Sequence, residues 1–229
     1  MAVIHHTALK PNKLELLNSW LPSRPWYQGG AGGPELTKSG GFRLDDPRGE
    51  VGLEFMVVTD AAGPAPVTYL VPLTYRGAPL EGAERALVGT MEHGVLGRRW
   101  AYDGCQDPVA VGQLLALIEG RVQAQDQNAS DVVDRDVIGS CTGDGSVCAD
   151  FAAAVTAADD REGTELTAPH GAILRLHRVL RTAPDGQFPA PQGAVGTVVG
   201  SWSGADGAPA RGMLAALWQP EATRTTPIA

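Results

Sequence analysis

Two runs of alternating apolar residues, joined by a short stretch of loop chemistry, restrict this chain more than any other feature. Val51, Leu53, Phe55 and Val57 alternate through Glu50–Asp60, and Val67, Tyr69, Val71, Leu73 and Tyr75 alternate through Val67–Tyr75. A period of two puts each set on one face of a strand. The intervening Ala61–Pro66, A-A-G-P-A-P, is loop. An antiparallel hairpin with one buried face is the simplest expectation. Pro72 has no N–H for a ladder bond, so an edge or a bulge is expected there. A third strand-like run, Arg98–Tyr102, precedes Asp107-Pro108, an N-cap with Pro at the first helical position. Val111, Leu114, Leu115 and Ile118 then fall at i, i+3, i+4 and i+7, and Gly120 can close that helix.

The rest of the chain is built around this unit. Asn12–Leu21 reads as a short helix, with Asn12 as N-cap, Glu15 as its capping-box partner, and Leu14, Leu17 and Leu21 on one face beside Trp20. Phe42 and Leu44 suggest a short strand ending in the turn D-D-P-R-G, Asp45–Gly49, and Ala86–Gly94 suggests a further strand. The fold class expected is α+β, a curved antiparallel β-sheet packed on helices, followed by a second β-rich segment. The divisions expected are an α+β domain over 1–122, a polar linker over 123–136, a β-rich segment over 137–218 and a flexible tail over 219–229. In the second half Thr164–Ala168, Val195–Ser201 and Met213–Trp218 are strand-like. Ala149–Ala158 and Ala172–Arg181 are open between helix and strand.

Charge and cysteine usage narrow the function classes. The net charge of −8 argues against nucleic acid or an anionic membrane as main partner, since both reward Lys and Arg. No apolar run approaches the ~20 residues of a membrane span, and Met1–Leu9 lacks the features of a secretory signal, so a cytoplasmic location is expected. The three cysteines, Cys105, Cys141 and Cys148, are an odd number, which suits thiols rather than a disulfide framework. C-T-G-D-G-S-V-C over Cys141–Cys148 reads as a tight loop, and neither it nor His5-His6 has the spacing of a metal site, so no metal or cofactor is expected.

Two groups could carry chemistry. If Ala86–Gly94 and Arg98–Tyr102 pair, Glu92, His93 and Tyr102 come close enough to suit general acid–base work on a concave sheet face. They could equally be a satisfied polar cluster at a sheet edge. Arg24, between Trp20 and Trp26, could stack and bind a sugar or an anion, or could pack helix to sheet on a carboxylate such as Asp103. Arg24, Trp26, Trp100 and Asp103 are the candidate ligand-binding residues.

Three motifs carry a family resemblance: W-L-P-S-R-P-W-Y at Trp20–Tyr27, Y-L-V-P-L at Tyr69–Leu73, and W-A-Y-D-G-C-Q-D-P at Trp100–Pro108. In order and spacing they resemble the N-terminal cap domain of actinobacterial maltokinases. That resemblance implies a cystatin-like cap, which in the family precedes a two-lobed kinase. Ile173–Leu180, I-L-R-L-H-R-V-L, resembles an N-lobe strand of that kinase, with Arg175 where the family has its phosphate-contacting Lys; Arg and Lys are not interchangeable in a phosphate clamp. The catalytic lobe's H-x-D does not occur in the sequence, nor does a Walker A motif, so kinase activity is not expected. The implied role is a stand-alone, non-catalytic binding or regulatory module in α-glucan, trehalose or maltose-1-phosphate metabolism. Its implied partners are a maltokinase, a trehalose synthase or another glucan-pathway enzyme, or a carbohydrate ligand. The alternatives are a small enzyme of isomerase, cyclase or hydrolase type using Glu92, His93 and Tyr102, and a structural homodimer pairing exposed sheet edges.

Overall fold

A computed structural model of the chain describes residues 9–30, 32–129, 131–142, 151, 155–182 and 188–219. In chain order the elements are β1 (Leu9–Lys10), α1 (Lys13–Trp20), β2 (Leu36–Leu44), β3 (Gly52–Asp60), β4 (Val67–Arg76), β5 (Leu87–His93), β6 (Gly97–Asp103) and α2 (Pro108–Ile118). They continue with β7 (Gln125–Asp126), β8 (Ile138–Cys141), β9 (Thr156–Asp159), β10 (Gly163–Thr167), β11 (Ile173–His177), β12 (Val179–Leu180), β13 (Ala194–Ser203) and β14 (Pro209–Trp218). The chain is β-rich α+β, with one large antiparallel sheet and two α-helices among the described residues. No helix of the described residues is long and apolar enough to cross a membrane.

Local chemistry sets the helix ends as expected. Asn12 accepts from the Glu15 N–H at 3.0 Å while the Glu15 carboxylate accepts from the Asn12 N–H at 2.7 Å, a complete capping box. Asp107 caps α2 by accepting from the Val109 N–H at 3.0 Å, with Pro108 at the first helical position. Gly120, at φ +72°, ends the last turn, where the Arg121 N–H returns to the Ala116 carbonyl at 2.9 Å.

The hairpin of β3 and β4 forms in unbroken register from Gly52↔Tyr75 to Asp60↔Val67. It does not have one buried face; it has two. Leu53, Phe55 and Val57 of β3 belong to one core with Leu70 of β4, whereas Met56 and Val58 belong to another with Tyr69, Val71 and Leu73. The two alternating sets seen in the sequence therefore lie on opposite faces. The pairing Val57↔Leu70 puts the odd-numbered positions of β3 opposite the even-numbered positions of β4. Every residue from Leu53 to Asp60 is consequently buried, Glu54 and Asp60 included.

Pro72 sits where β4 changes partners. On the side away from β3, β12 pairs with Thr68 and Tyr69, and the Leu70 N–H donates to the Arg178 carbonyl at 2.9 Å. From Leu73 onward β6 takes over that side. Alternation of N–H directions points the missing donor of Pro72 into this gap, so the edge expected from the sequence is present without a bulge.

The polar stretch expected as a linker does not interrupt the fold. Gln125 and Asp126 of β7 pair with Arg43 and Phe42 of β2, and the second half continues the same sheet in the order β2-β13-β14-β11-β10-β9. Of the runs left open in the sequence, Ala172–Arg181 forms strands β11 and β12, and the end of Ala149–Ala158 enters β9 while residues 149–150 and 152–154 lie outside the described residues. Because β12 follows β11 directly and pairs with β4, the hydrogen-bonded path β4-β3-β2-β13-β14-β11 returns to its start. One core joins the halves: Phe42, Phe55 and Leu70 pack with Leu166, Leu174, Leu176, Val198, Leu214 and Leu217. Helix α2 fills it with Val111, Leu114, Leu115 and Ile118. A helix apolar nearly all round has to be buried.

Two close backbone approaches depend on glycine. A Cβ at Gly139 of β8 would stand 2.0 Å from the Leu117 carbonyl oxygen of α2, and one at Gly41 of β2 would stand 2.3 Å from the Phe55 carbonyl oxygen. Gly41 has φ +130° and follows the register shift between Lys38 and Gly40, where β2 meets Trp202 of β13. The loop expected over Cys141–Cys148 lies outside the described residues apart from Cys141 and Thr142, as does the tail beyond Gln219.

If α2 is the common core of both halves, Leu115→Ala should cost about 2–5 kcal/mol and leave a single urea transition by far-ultraviolet circular dichroism and by tryptophan fluorescence. Two separated transitions would show that the halves are independent units.

Candidate functional site

The polar groups of the interior converge on Arg178, the residue between β11 and β12. Along this run the period of two puts Leu174, Leu176, Arg178 and Leu180 on one side, so a guanidinium enters an apolar stripe and is fully buried. Its Nη2 donates to both Asp103 oxygens, at 2.7 and 2.6 Å, and approaches the Cys105 Sγ at 3.1 Å. Its Nε donates to the Thr164 Oγ1 at 2.7 Å, and its Cζ lies 5.0 Å from the ring centre of Trp26. Nη1 has no partner among the described residues. Burial alone would lower the Arg178 pKa; the Asp103 carboxylate outweighs it and holds the group above its ordinary value. Burial drives the Cys105 thiol far up, and the nearby Arg178 charge does not reverse this. A thiol kept protonated in such surroundings is not a nucleophile.

Asp103 closes β6 and, through the short turn Gly104–Gln106, leads to Asp107. Asp107 is fully buried and receives Arg76 in a two-point pair, Nε to Oδ2 and Nη2 to Oδ1, both at 2.7 Å. A third buried carboxylate, Glu54, faces α1. It pairs with Lys13, lies 3.6 Å from Lys38 and accepts from the Tyr75 hydroxyl at 2.8 Å. Two of the three lysines in the chain thus serve one carboxylate. Burial would raise the Glu54 pKa, but Lys13 first, then Lys38 and the Tyr75 hydroxyl, hold it below the ordinary carboxylate range. At the far end of β3, Asp60 accepts from the Tyr27 hydroxyl at 3.0 Å, and burial together with this carboxylate pushes Tyr27 up to about 12.

The candidate ligand-binding residues do not form one site. Trp26 is fully buried and Asp103 is 5% exposed, both occupied by Arg178. Arg178, not Arg24, is therefore the arginine on Asp103. Arg24 lies 4.8 Å over Trp20 and donates to the Ser23 hydroxyl. Trp100 pairs with Arg76 and Asp103 with Leu73, three positions apart on β6 and hence on opposite faces. Trp100 packs instead against the small cluster of Ala83, Ala86 and Tyr102.

Glu92, His93 and Tyr102 are not brought together either, although β5 and β6 pair as expected. Glu92 bonds Arg98 at 2.9 Å on an exposed face. His93 Nδ1 accepts from the Val95 and Leu96 N–H groups at 3.2 and 3.0 Å, closing the hairpin tip. Tyr102 stands opposite Leu87, four residues along β6 from Arg98, or about 13 Å at ~3.3 Å per residue. Its hydroxyl accepts from the Leu80 N–H at 2.9 Å. Arg175, in the position resembling a phosphate-contacting Lys, pairs with Asp160 at 2.8 Å and reaches Glu165 at 3.9 Å.

Among the described residues no cluster of three or more His, Cys, Asp or Glu is placed to hold a metal ion. A cavity of about 10 Å³ beside Phe55, Pro72, Cys105 and Leu114 is apolar and has room for little more than one water, not a sugar.

Arg178→Ala should destabilise the fold by about 3–5 kcal/mol, because Asp103 is left buried and unpaired. The double change Arg178→Met with Asp103→Leu should recover much of that loss in urea denaturation. A carboxylate whose folded pKa is lowered adds stability that is complete above its unfolded pKa of ~4.3 and is lost as pH falls through the folded value. Thermal stability should therefore drop below about pH 5, and Glu54→Gln should flatten part of that drop while lowering stability at neutral pH. Equal slopes in both proteins would contradict the assignment.

A search of curated proteins finds no match to the chain. A family model does match, from Trp20 at the end of α1 to Asp107 at the cap of α2, so that β2 to β6 lie within the match while Arg178 reaches into it from outside. Over residues 20–107 the chain is similar to the maltokinase N-terminal cap domain.

Proposed function

We propose that this chain acts by binding rather than by catalysis, as a recognition or regulatory module of α-glucan, trehalose or maltose-1-phosphate metabolism. Its partner is a maltokinase, a trehalose synthase or another enzyme of glucan turnover. The observation that carries the reading is the cap match over residues 20–107 in a sequence that contains no H-x-D for phosphoryl transfer. In this reading the cap is cystatin-like and the strands after Ile138 are a repurposed kinase N-lobe, with Arg175 committed to Asp160 and Glu165 instead of a phosphate.

Surface recognition fits the chain better than a buried sugar site. The aromatic and charged groups that could grip a sugar, Trp26, Asp103 and Arg178, are closed into the interior. A protein partner needs only the outside of the cap, where the hairpin tip leaves Val95 and Leu96 63% and 46% exposed.

The test is titration of the purified chain with maltokinase and with trehalose synthase by isothermal calorimetry, alongside a thermal-shift series with maltose, maltooligosaccharides and maltose 1-phosphate. Saturable binding of an enzyme, with no shift from the sugars, is expected. A sugar at ~100 times its Kd would stabilise the fold by about 2.7 kcal/mol. Such a shift without enzyme binding would replace the protein-partner reading by a carbohydrate-binding one.

A further inference from the structure

Arg24 is immobilised from several directions and yet meets no carboxylate. Its N–H donates to the Leu21 carbonyl at 2.9 Å, and its carbonyl accepts from the Tyr27 N–H at 3.1 Å. Pro25 restricts it to extended backbone, and it adopts φ −91°, ψ 139°. The guanidinium lies 4.8 Å over the Trp20 ring. Its Nε and Nη2 both donate to the Ser23 hydroxyl, at 3.2 and 2.9 Å, and that hydroxyl is oriented by its own bond to the Trp20 carbonyl at 2.7 Å.

A shortage of acid does not explain this. The chain has 26 acidic against 18 basic residues, and Arg76, Arg98, Arg175, Arg178 and Arg181 all find carboxylates. None of the ion pairs among the described residues includes Arg24. A guanidinium carries five N–H donors, and only two of these groups' bonds are spent, both on one hydroxyl. The Nε1–H of Trp20, a residue 7% exposed, also lacks a partner among the described residues. Because that indole nitrogen is itself buried, the donors open to an incoming acceptor are those of the guanidinium.

We infer that the Arg24–Trp20 stack is a binding site for an oxyanion, a carboxylate or a phosphate carried by whatever docks on this corner of the cap. A planar fork suits both groups, and ordering an arginine before binding removes much of the entropy its capture would cost. Buried or half-buried arginine beside tryptophan is also the composition of binding hot spots. This deepens the proposed recognition role and depends on it for the biological partner, though not for anion binding itself.

The experiment is a side-chain nitrogen–proton spectrum of the full chain, following Arg24 Nε–H and the Trp20 and Trp26 indole N–H signals. Inorganic phosphate and acetate are titrated separately at constant ionic strength. Saturating shifts of Arg24 and Trp20 are expected, with Trp26 unmoved. Arg24→Lys should weaken binding about tenfold because the fork is lost, and Arg24→Gln should abolish it while the Trp26 signal reports an intact fold. Saturation by phosphate alone points to a phosphate ester, and saturation by acetate points to a carboxylate on a protein. Linear shifts with both anions, or saturation that survives Arg24→Gln, would overturn the site. Enzyme binding that persists unchanged in Arg24→Gln would also overturn it, and would leave the module reading in place.

Discussion

A charged guanidinium with no exposure to solvent governs how the two halves of this chain meet. Arg178 comes from the second half, yet its carboxylate and its aromatic neighbour, Asp103 and Trp26, come from the first. Removing one partner of a buried pair is costly, because the survivor keeps its charge without its solvent. The pair therefore ties the β11–β12 crossing to the end of β6. From there the turn through Cys105 carries the constraint to Asp107 and the start of α2. Lysine could not replace Arg178, since one planar group serves Asp103, Thr164 and the Trp26 face together.

Around this seam the hairpin β3–β4 works as a wall between two cores. On one side α2 is packed against strands from both halves; on the other Leu17 of α1, with Leu21 and Trp26 from the turn that follows it, covers Met56, Val58 and Val71. A wall of this kind has no solvent face, so the polar residues it carries need internal partners. Glu54 takes Lys13, Lys38 and Tyr75, and Asp60 takes Tyr27 and the Glu35 N–H. These groups stabilise the arrangement of α1 on the sheet and present no reactive geometry to a substrate. The chain's acidity is thus partly spent inside, while the half-buried Arg24 lies over Trp20 and pairs with no carboxylate among the described residues.

Much of the first half could be read directly. The capping box at Asn12 and Glu15, the Asp107-Pro108 start of α2, the Gly120 stop and the partner change at Pro72 each follow from the local chemistry of one or a few residues. The motif residues Trp20, Trp26, Tyr69 and Asp103 all lie within residues 20–107, where the chain is similar to the maltokinase N-terminal cap domain. The candidate site was less legible. Glu92, His93 and Tyr102 lie close in sequence on paired strands, but register puts them at different ends of the hairpin. Arg178 could have been found from its place in line with Leu174, Leu176 and Leu180, where a charge on an apolar stripe demands a partner.

By itself the sequence determined the ends of both helices and of the β3–β4 hairpin, because caps, prolines, glycines and periods of two and 3.6 act over a few residues. Only the tertiary structure decided which faces are buried, that the stretch after Arg121 continues the same sheet, and which carboxylate belongs to which arginine. Those are facts about register and long-range pairing. Shifting the partner of β3 by one residue would exchange the two cores, and Arg178 and Asp103 stand 75 residues apart in the chain. Nothing local to either residue names the other.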